Sequence, residues 1–133
     1  MKKILVLCTG NSCRSIIAEA QINAFLDGYT AQSCGAEPTL TINPYAKKVL
    51  KKHGIWQECY YSKSFEMLQD RNFDLVVTVC DSAKERCPVP PDAAAQLHVG
   101  FEDPDGGLYE QFEQTYNEIK NRLLKAIVCY DKE

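Results

Sequence analysis

The sequence predicts an α/β protein, a small four-stranded parallel sheet flanked by helices. Strand-like apolar runs alternate with amphipathic helical stretches along the whole chain, which is the pattern of βαβ units. The strongest runs are continuous in their apolar residues rather than alternating, as strands covered on both faces are. No internal repeat, linker or low-complexity segment divides the 133 residues, so residues 1–133 are expected to form a single domain.

Each element follows from its own residues. Residues 3–8 read as the first buried strand, ending on Cys8. A polar turn follows. Residues 15–26 then carry Ile16, Ile17, Ala20 and Ala24 at helical spacing, with Asp27-Gly28 as the stop. Residues 30–36 form the second strand. Asn43-Pro44 places a capping side chain before a proline at the first helical position, and that helix runs through Ala46, Val49 and Leu50 to His53-Gly54. Ser64 caps a short helix through Met67 and Leu68. Residues 74–79 form a third strand leading directly into Cys80, and residues 96–99 a weaker fourth. Leu108, Phe112, Tyr116, Ile119, Leu123 and Ile127 recur every three or four residues and mark one long C-terminal helix. In open parallel sheets ligands sit beyond the C-terminal strand ends. Cys8 and Cys80 stand at such ends, and Asp103 follows the fourth strand closely.

Composition narrows the function. A formal net charge of -3 offers no general field for nucleic acid or an anionic membrane, so an anion must be held by a local device. The apolar run after Met1-Lys2-Lys3 is too short for a signal peptide, and no stretch approaches the ~20 apolar residues of a membrane span. A cytoplasmic location is expected. Seven cysteines is an odd and high count. In a reducing compartment such cysteines are more often catalytic, metal-binding or buried than bridged. The absence of any C-x-x-C and the presence of only His53 and His98 argue against a structural zinc site. No metal or cofactor is expected.

The segment Cys8-Thr9-Gly10-Asn11-Ser12-Cys13-Arg14-Ser15 is the most informative in the chain. It joins a buried strand to a helix, whose first N–H groups and dipole attract an anion. Gly10 and Asn11 are residue types that tolerate the left-handed backbone a curled nest needs. Arg14 adds a planar cationic fork suited to a tetrahedral oxyanion. The same field favours the thiolate of Cys8, giving a nucleophile and an oxyanion cradle from one turn. Thr9, Gly10, Asn11, Ser12, Cys13 and Arg14 would thus surround the substrate. Cys13 itself is expected to pack rather than react.

This loop resembles the signature loop of the low-molecular-weight tyrosine phosphatase superfamily, and most of all that of its thioredoxin-coupled arsenate reductases. Asn43-Pro44, Val79-Cys80-Asp81, Cys87-Pro88 and Gly100-Phe101-Glu102-Asp103-Pro104-Asp105-Gly106 fall in the family's order and spacing. The resemblance implies a four-stranded parallel sheet, as read independently above. It implies that Cys8 attacks arsenate, that Cys80 attacks Cys8 and releases arsenite, and that Cys87 attacks Cys80. The Cys80–Cys87 disulfide would then pass to thioredoxin, although glutathione with glutaredoxin serves related enzymes. Asp103, biased toward an extended backbone by Pro104, would protonate the departing oxygen. Ser15 would hydrogen-bond the Cys8 thiolate, and Asn11 would lock the loop. Phosphate or sulfate would fit the same cradle. Some family members hold potassium behind the loop through residues matching Asn11, Glu19 and Ser33. Their fourth ligand, an aspartate, is matched here by Lys63, so no potassium requirement is expected.

Two other readings are open at this stage. A low-molecular-weight protein tyrosine phosphatase would use Cys8, Arg14 and Asp103 and leave Cys80 and Cys87 idle. A thiol redox sensor or arsenic-binding protein would need no oxyanion cradle with a placed acid. Cys34 is expected in the core, Cys129 at the end of the last helix, and Cys59 has no evident role. Lys47-Lys48 and Lys51-Lys52 read as a solvated helix face able to meet an acidic reductant.

Overall fold

The computed structural model describes residues 1–81 and 95–132. Its elements are β1 (Lys2–Cys8), α1 (Arg14–Phe25), β2 (Tyr29–Gly35), α2 (Pro44–Lys52), β3 (Leu75–Thr78), β4 (Gln96–His98), α3 (Tyr109–Glu118) and α4 (Leu124–Asp131). A 3-10 turn occupies Phe65–Met67 and a π turn Ile119–Leu123. The four strands pair in the order β2-β1-β3-β4, all parallel. The predicted four-stranded sheet is therefore observed, with element ends shifted by a residue or so.

β1 is central because both its faces are apolar. Ile4, Val6 and Cys8 join the larger core with α1, α2, α3 and α4. Leu5 and Leu7 point the other way, against Cys34, Leu68 and Val76, with Phe65 and Phe73 packed alongside. That second cover is supplied by the 3-10 turn and its neighbours rather than by a long helix.

α1 is buried without a break from Arg14 to Ile22. Such a helix is enclosed all round, so its polar side chains must find partners inside. Gln21, fully buried, donates from Nε2 to the Tyr116 carbonyl at 2.9 Å. That carbonyl lies just before the π turn. The predicted single C-terminal helix is continuous through this turn, since the residues at both junctions, Ile119 and Leu123, keep right-handed helical angles. The wide turn has a reason in the spacing. Phe112, Tyr116, Ile119, Leu123 and Ile127 are all buried. They need fifteen residues for four turns, more than 3.6 per turn supplies, and the π turn absorbs the excess.

Asn43 caps α2 as the sequence suggests, accepting from the Tyr45 N–H at 2.9 Å. His53 ends the same helix but is engaged by α3. Its ring stacks on Tyr116 at 3.9 Å, and Nε2 lies 3.0 Å from Glu113. Burial opposes ionisation of Glu113, yet hydrogen bonds from His53, Lys52 and Tyr109 hold its carboxyl down at about 2. This cluster clamps α2 to α3 beside the fully buried Phe112.

Phe112 packs edge-on against Tyr45 at 5.4 Å. Phe112→Ala is expected to cost about 3–5 kcal/mol, read as a lowered urea midpoint with an unchanged m-value.

Candidate active site

The turn between β1 and α1 is shaped from outside by the chain that follows β2. Cys8 is in register with Gly35. Then Ala36, Glu37 and Thr39 donate their N–H groups to the carbonyls of Cys8, Thr9 and Gly10 at 3.2, 2.8 and 3.0 Å. Gly35 allows this approach. A Cβ there would stand 2.7 Å from the Thr9 carbonyl oxygen and 3.0 Å from Asn11. With these carbonyls occupied outside, the Asn11 N–H turns inward to Cys8 Sγ at 3.3 Å. Asn11 takes the left-handed step, at φ 50°; Gly10, equally tolerant by type, does not.

The Asn11 side chain is fully buried and uses both ends. Its Oδ1 accepts from the Lys63 N–H at 2.8 Å, which fixes the orientation of the amide. Its Nδ2 donates to Ser15 Oγ at 2.7 Å and to Ser33 Oγ at 2.9 Å. Ser15 Oγ, accepting from that amide, lies 2.9 Å from Cys8 Sγ, within hydrogen-bond reach. The Cys8 sulfur thus has the Asn11 N–H and the Ser15 hydroxyl as close polar neighbours.

Arg14 is 3% exposed and held from behind. Its Nη1 donates to the Phe101 carbonyl at 3.1 Å, and Nη2 lies 3.5 Å from Asp103 Oδ2. Asp103 is itself set by a short turn in which its Oδ1 accepts from the Asp105 N–H at 3.0 Å. Asn43 Nδ2 donates to Asp105 Oδ1 at 2.6 Å, tying this loop to the start of α2. Cys8, Thr9, Gly10, Ser12, Cys13 and Arg14 line one hollow of about 210 Å³, whose rim adds Glu37, Thr39, Asp103 and Asp105. Cys13 contributes shape rather than reactivity, because burial pushes its thiol up to about 12. Cys34, deep in the second core cluster, is likewise raised to about 12 by burial.

Cys80 is fully buried two residues beyond β3. Thr9 Oγ1 lies 3.6 Å from its sulfur, so the neighbouring strand end does reach the loop. Gly100 admits it, since a Cβ there would be 2.9 Å from the Cys80 carbonyl oxygen. Cys80 is disulfide-bonded, while Cys8 is free. Cys87 lies outside the described residues. Cys59 and Cys129 are free and exposed.

Behind the loop the network continues. Ser33 Oγ donates to Glu19 Oε1 at 2.6 Å. Burial raises the Glu19 carboxyl to about 7, against the Lys63 charge and the Ser33 hydrogen bond, which pull it down. Lys63 is buried too; its Nζ donates to the Tyr61 carbonyl at 3.2 Å and sits 4.5 Å from the Tyr61 ring centroid. Asn11, Glu19, Ser33 and Lys63 therefore do gather behind the loop, with the lysine charge acting on Glu19. Among the described residues no group of three or more His, Cys, Asp or Glu converges to hold a metal.

Sequence reasoning missed Gly35, Glu37, Thr39 and Asp105 as parts of this site. Only the Gly35-Ala36-Glu37 run, which closes the expected second strand, offered a signal, and it is a weak one.

The family model described as low molecular weight phosphotyrosine protein phosphatase matches residues 3–132, and the chain belongs to that family. Within it the chain is similar to proteins named as arsenate reductases. It is 37% identical over 123 residues to one from Bacillus cereus (strain 03BB102), covering 92% of this chain and 91% of the relative. It is 38% identical over 120 residues to one from Staphylococcus aureus (strain Newman), covering 90% and 91%. Among solved structures, the arsenate reductase from Archaeoglobus fulgidus DSM 4304 superposes with a TM-score of 0.78 at 28% identity, covering 93% of this chain and 98% of that one. An arsenate reductase described in a phosphate binding state superposes at 0.77 and 27% identity, covering 96% and 98%.

The Glu19 carboxyl gives a pH test. A buried acid whose folded value stands near 7, above its ordinary 4.5, binds more protons folded than unfolded between those values. Stability is then highest below about 4.5 from this group and falls as pH rises to about 7, by an amount on the order of 3 kcal/mol. Glu19→Gln is expected to flatten that part of the stability–pH curve in chemical denaturation.

Proposed function

We propose that this chain reduces arsenate to arsenite through Cys8, Cys80 and Cys87. The observation that carries the reading is the placement of two cysteines at adjacent strand ends, with Thr9 of the anion loop 3.6 Å from the Cys80 sulfur. A phosphatase has no use for the second one. The similarity to arsenate reductases supports the same substrate.

The Cys8 thiolate attacks arsenic, forming a sulfur–arsenic bond as an oxygen departs with a proton from Asp103. Loop N–H groups and Arg14 hold the remaining oxygens. The Cys80 thiolate next attacks the Cys8 sulfur. The sulfur–arsenic pair stays on arsenic, which leaves as arsenite, and a Cys8–Cys80 disulfide forms. Cys87 then attacks Cys80 and frees the Cys8 thiolate. Each exchange depends on thiolate fraction and placement. The Cys80–Cys87 disulfide is returned to dithiol by thioredoxin. A disulfide-bonded Cys80 beside a free Cys8 is consistent with the end of this sequence. The reaction is placed in the cytoplasm, where a reducing partner is at hand.

Hydrolysis of a phosphate monoester is the second reading, and as a weak side activity it accompanies the first. The pairing of Arg14 with Asp103 at 3.5 Å favours it, because that acid is equally placed for a phosphate leaving group.

Arsenate-dependent NADPH consumption with thioredoxin and thioredoxin reductase tests the relay. Cys8→Ser is expected to abolish turnover, and Cys80→Ser and Cys87→Ser each to lower it at least about a hundredfold in steady state. Efficient aryl-phosphate hydrolysis with no arsenate turnover, indifferent to the last two substitutions, would assign the chain to phosphatase chemistry instead.

Lys63 takes the place of a bound cation behind the loop in this reading. Adding potassium to a sodium-free assay is expected to change kcat/KM by less than about twofold. A strong dependence would remove Lys63 from that role.

A further inference from the structure

The hollow at Cys8 holds one feature that oxyanion binding alone does not call for. Its rim is acidic. Arg14 is the only cation among the described residues that line it, and Glu37, Asp103 and Asp105 are three carboxylates. Two of these have other work. Asp103 faces Arg14, and Asp105 accepts from Asn43. Glu37 is exposed and lines the hollow, and its backbone N–H is pinned to the Thr9 carbonyl at 2.8 Å, so the loop keeps the side chain's base beside the opening. No aromatic side chain lines the hollow among the described residues, and its volume of about 210 Å³ suits a small ion.

We infer that Glu37 is a specificity-determining residue that filters anions by charge, favouring small singly charged oxyanions over dianions and phosphorylated side chains. The physics is Coulombic. A fixed negative charge at the mouth repels a dianion twice as strongly as a monoanion at the same place. The penalty on the association constant for a dianion is thus the square of that for a monoanion. For one charge about 7 Å away in a water-like medium, these penalties are about threefold and about sevenfold. A phosphorylated peptide with acidic neighbours would meet a larger one. The filter leaves the cradle itself untouched, because Glu37 contacts the loop only through its backbone in the hydrogen bonds described.

The inference rests on reading the hollow as an oxyanion site, and not on the reduction step. It is tested by direct binding of inorganic phosphate to the full chain and to Glu37→Gln, by calorimetry at low ionic strength. Measurements are made near pH 6, where phosphate is mostly the monoanion, and near pH 8, where it is mostly the dianion. Cys8, Cys13, Asp103, Asp105 and Arg14 face the ligand in both proteins, so their titration cancels in the ratio of variant to parent at each pH. Glu37→Gln is expected to tighten binding about threefold at the lower pH and about sevenfold at the higher. Both gains should shrink toward one in 0.5 M salt. Equal ratios at the two pH values, or none, would overturn the filter and leave the oxyanion reading standing. Weaker monoanion binding in Glu37→Gln would also overturn it, showing a carboxylate that accepts a hydrogen bond from the ligand. Phosphate binding to neither protein would sink the oxyanion reading and the filter together.

Discussion

The site depends on one buried amide. Asn11 combines a left-handed backbone with a side chain whose oxygen and nitrogen are both committed inside the protein. A non-glycine residue pays for that backbone only where its surroundings over-determine it. Here they do. Lys63 holds the oxygen, Ser15 and Ser33 hold the nitrogen, and the peptide N–H meets Cys8. The same bonds that strain the turn also hold the Ser15 hydroxyl beside the reactive sulfur. Loop shape and the immediate surroundings of the Cys8 sulfur therefore depend on one side chain.

From that amide a line of hydrogen bonds runs through Ser33 to Glu19, ending near Lys63. The loop is thus backed by a polar column inside an otherwise apolar core. Buried polar groups cost stability unless partnered, and this column is partnered at each step. On the other side the loop carbonyls are taken by Ala36, Glu37 and Thr39. Held from behind and from outside, the turn keeps its shape, with the Asn11 N–H directed inward at Cys8.

Much of this was legible in the sequence, for identifiable reasons. The strand runs of β1 and β3 are apolar on both faces, and burial on both sides is how they are used. The cap at Asn43 and the residue types of the anion loop carry their geometry locally. Partners far along the chain came only through the family resemblance and not from any local pattern. Ser33 and Lys63 stand 22 and 52 residues from Asn11. Glu37 reaches the rim only because β2 runs in register beside β1. The π turn was also hidden, because the apolar spacing fits a helix and the small excess per turn shows only when all five side chains must face one core. Gly35 was read as part of a strand, since a missing Cβ matters only when another backbone lies against it.

The bond from the Lys63 backbone to Asn11 has a consequence for how the protein comes into being. On the ribosome, residues emerge in order, at roughly 5–20 per second in bacteria. When β1 and α1 are out, the nucleophilic thiol exists but its cradle does not. The serine of β2 and the peptide at residue 63 must arrive before Asn11 can close the loop around an anion. A nascent chain therefore carries Cys8 outside its finished loop until at least nearly half of its length is made. The loop is completed later still, because the Phe101 carbonyl that holds Arg14 is made after another 38 residues.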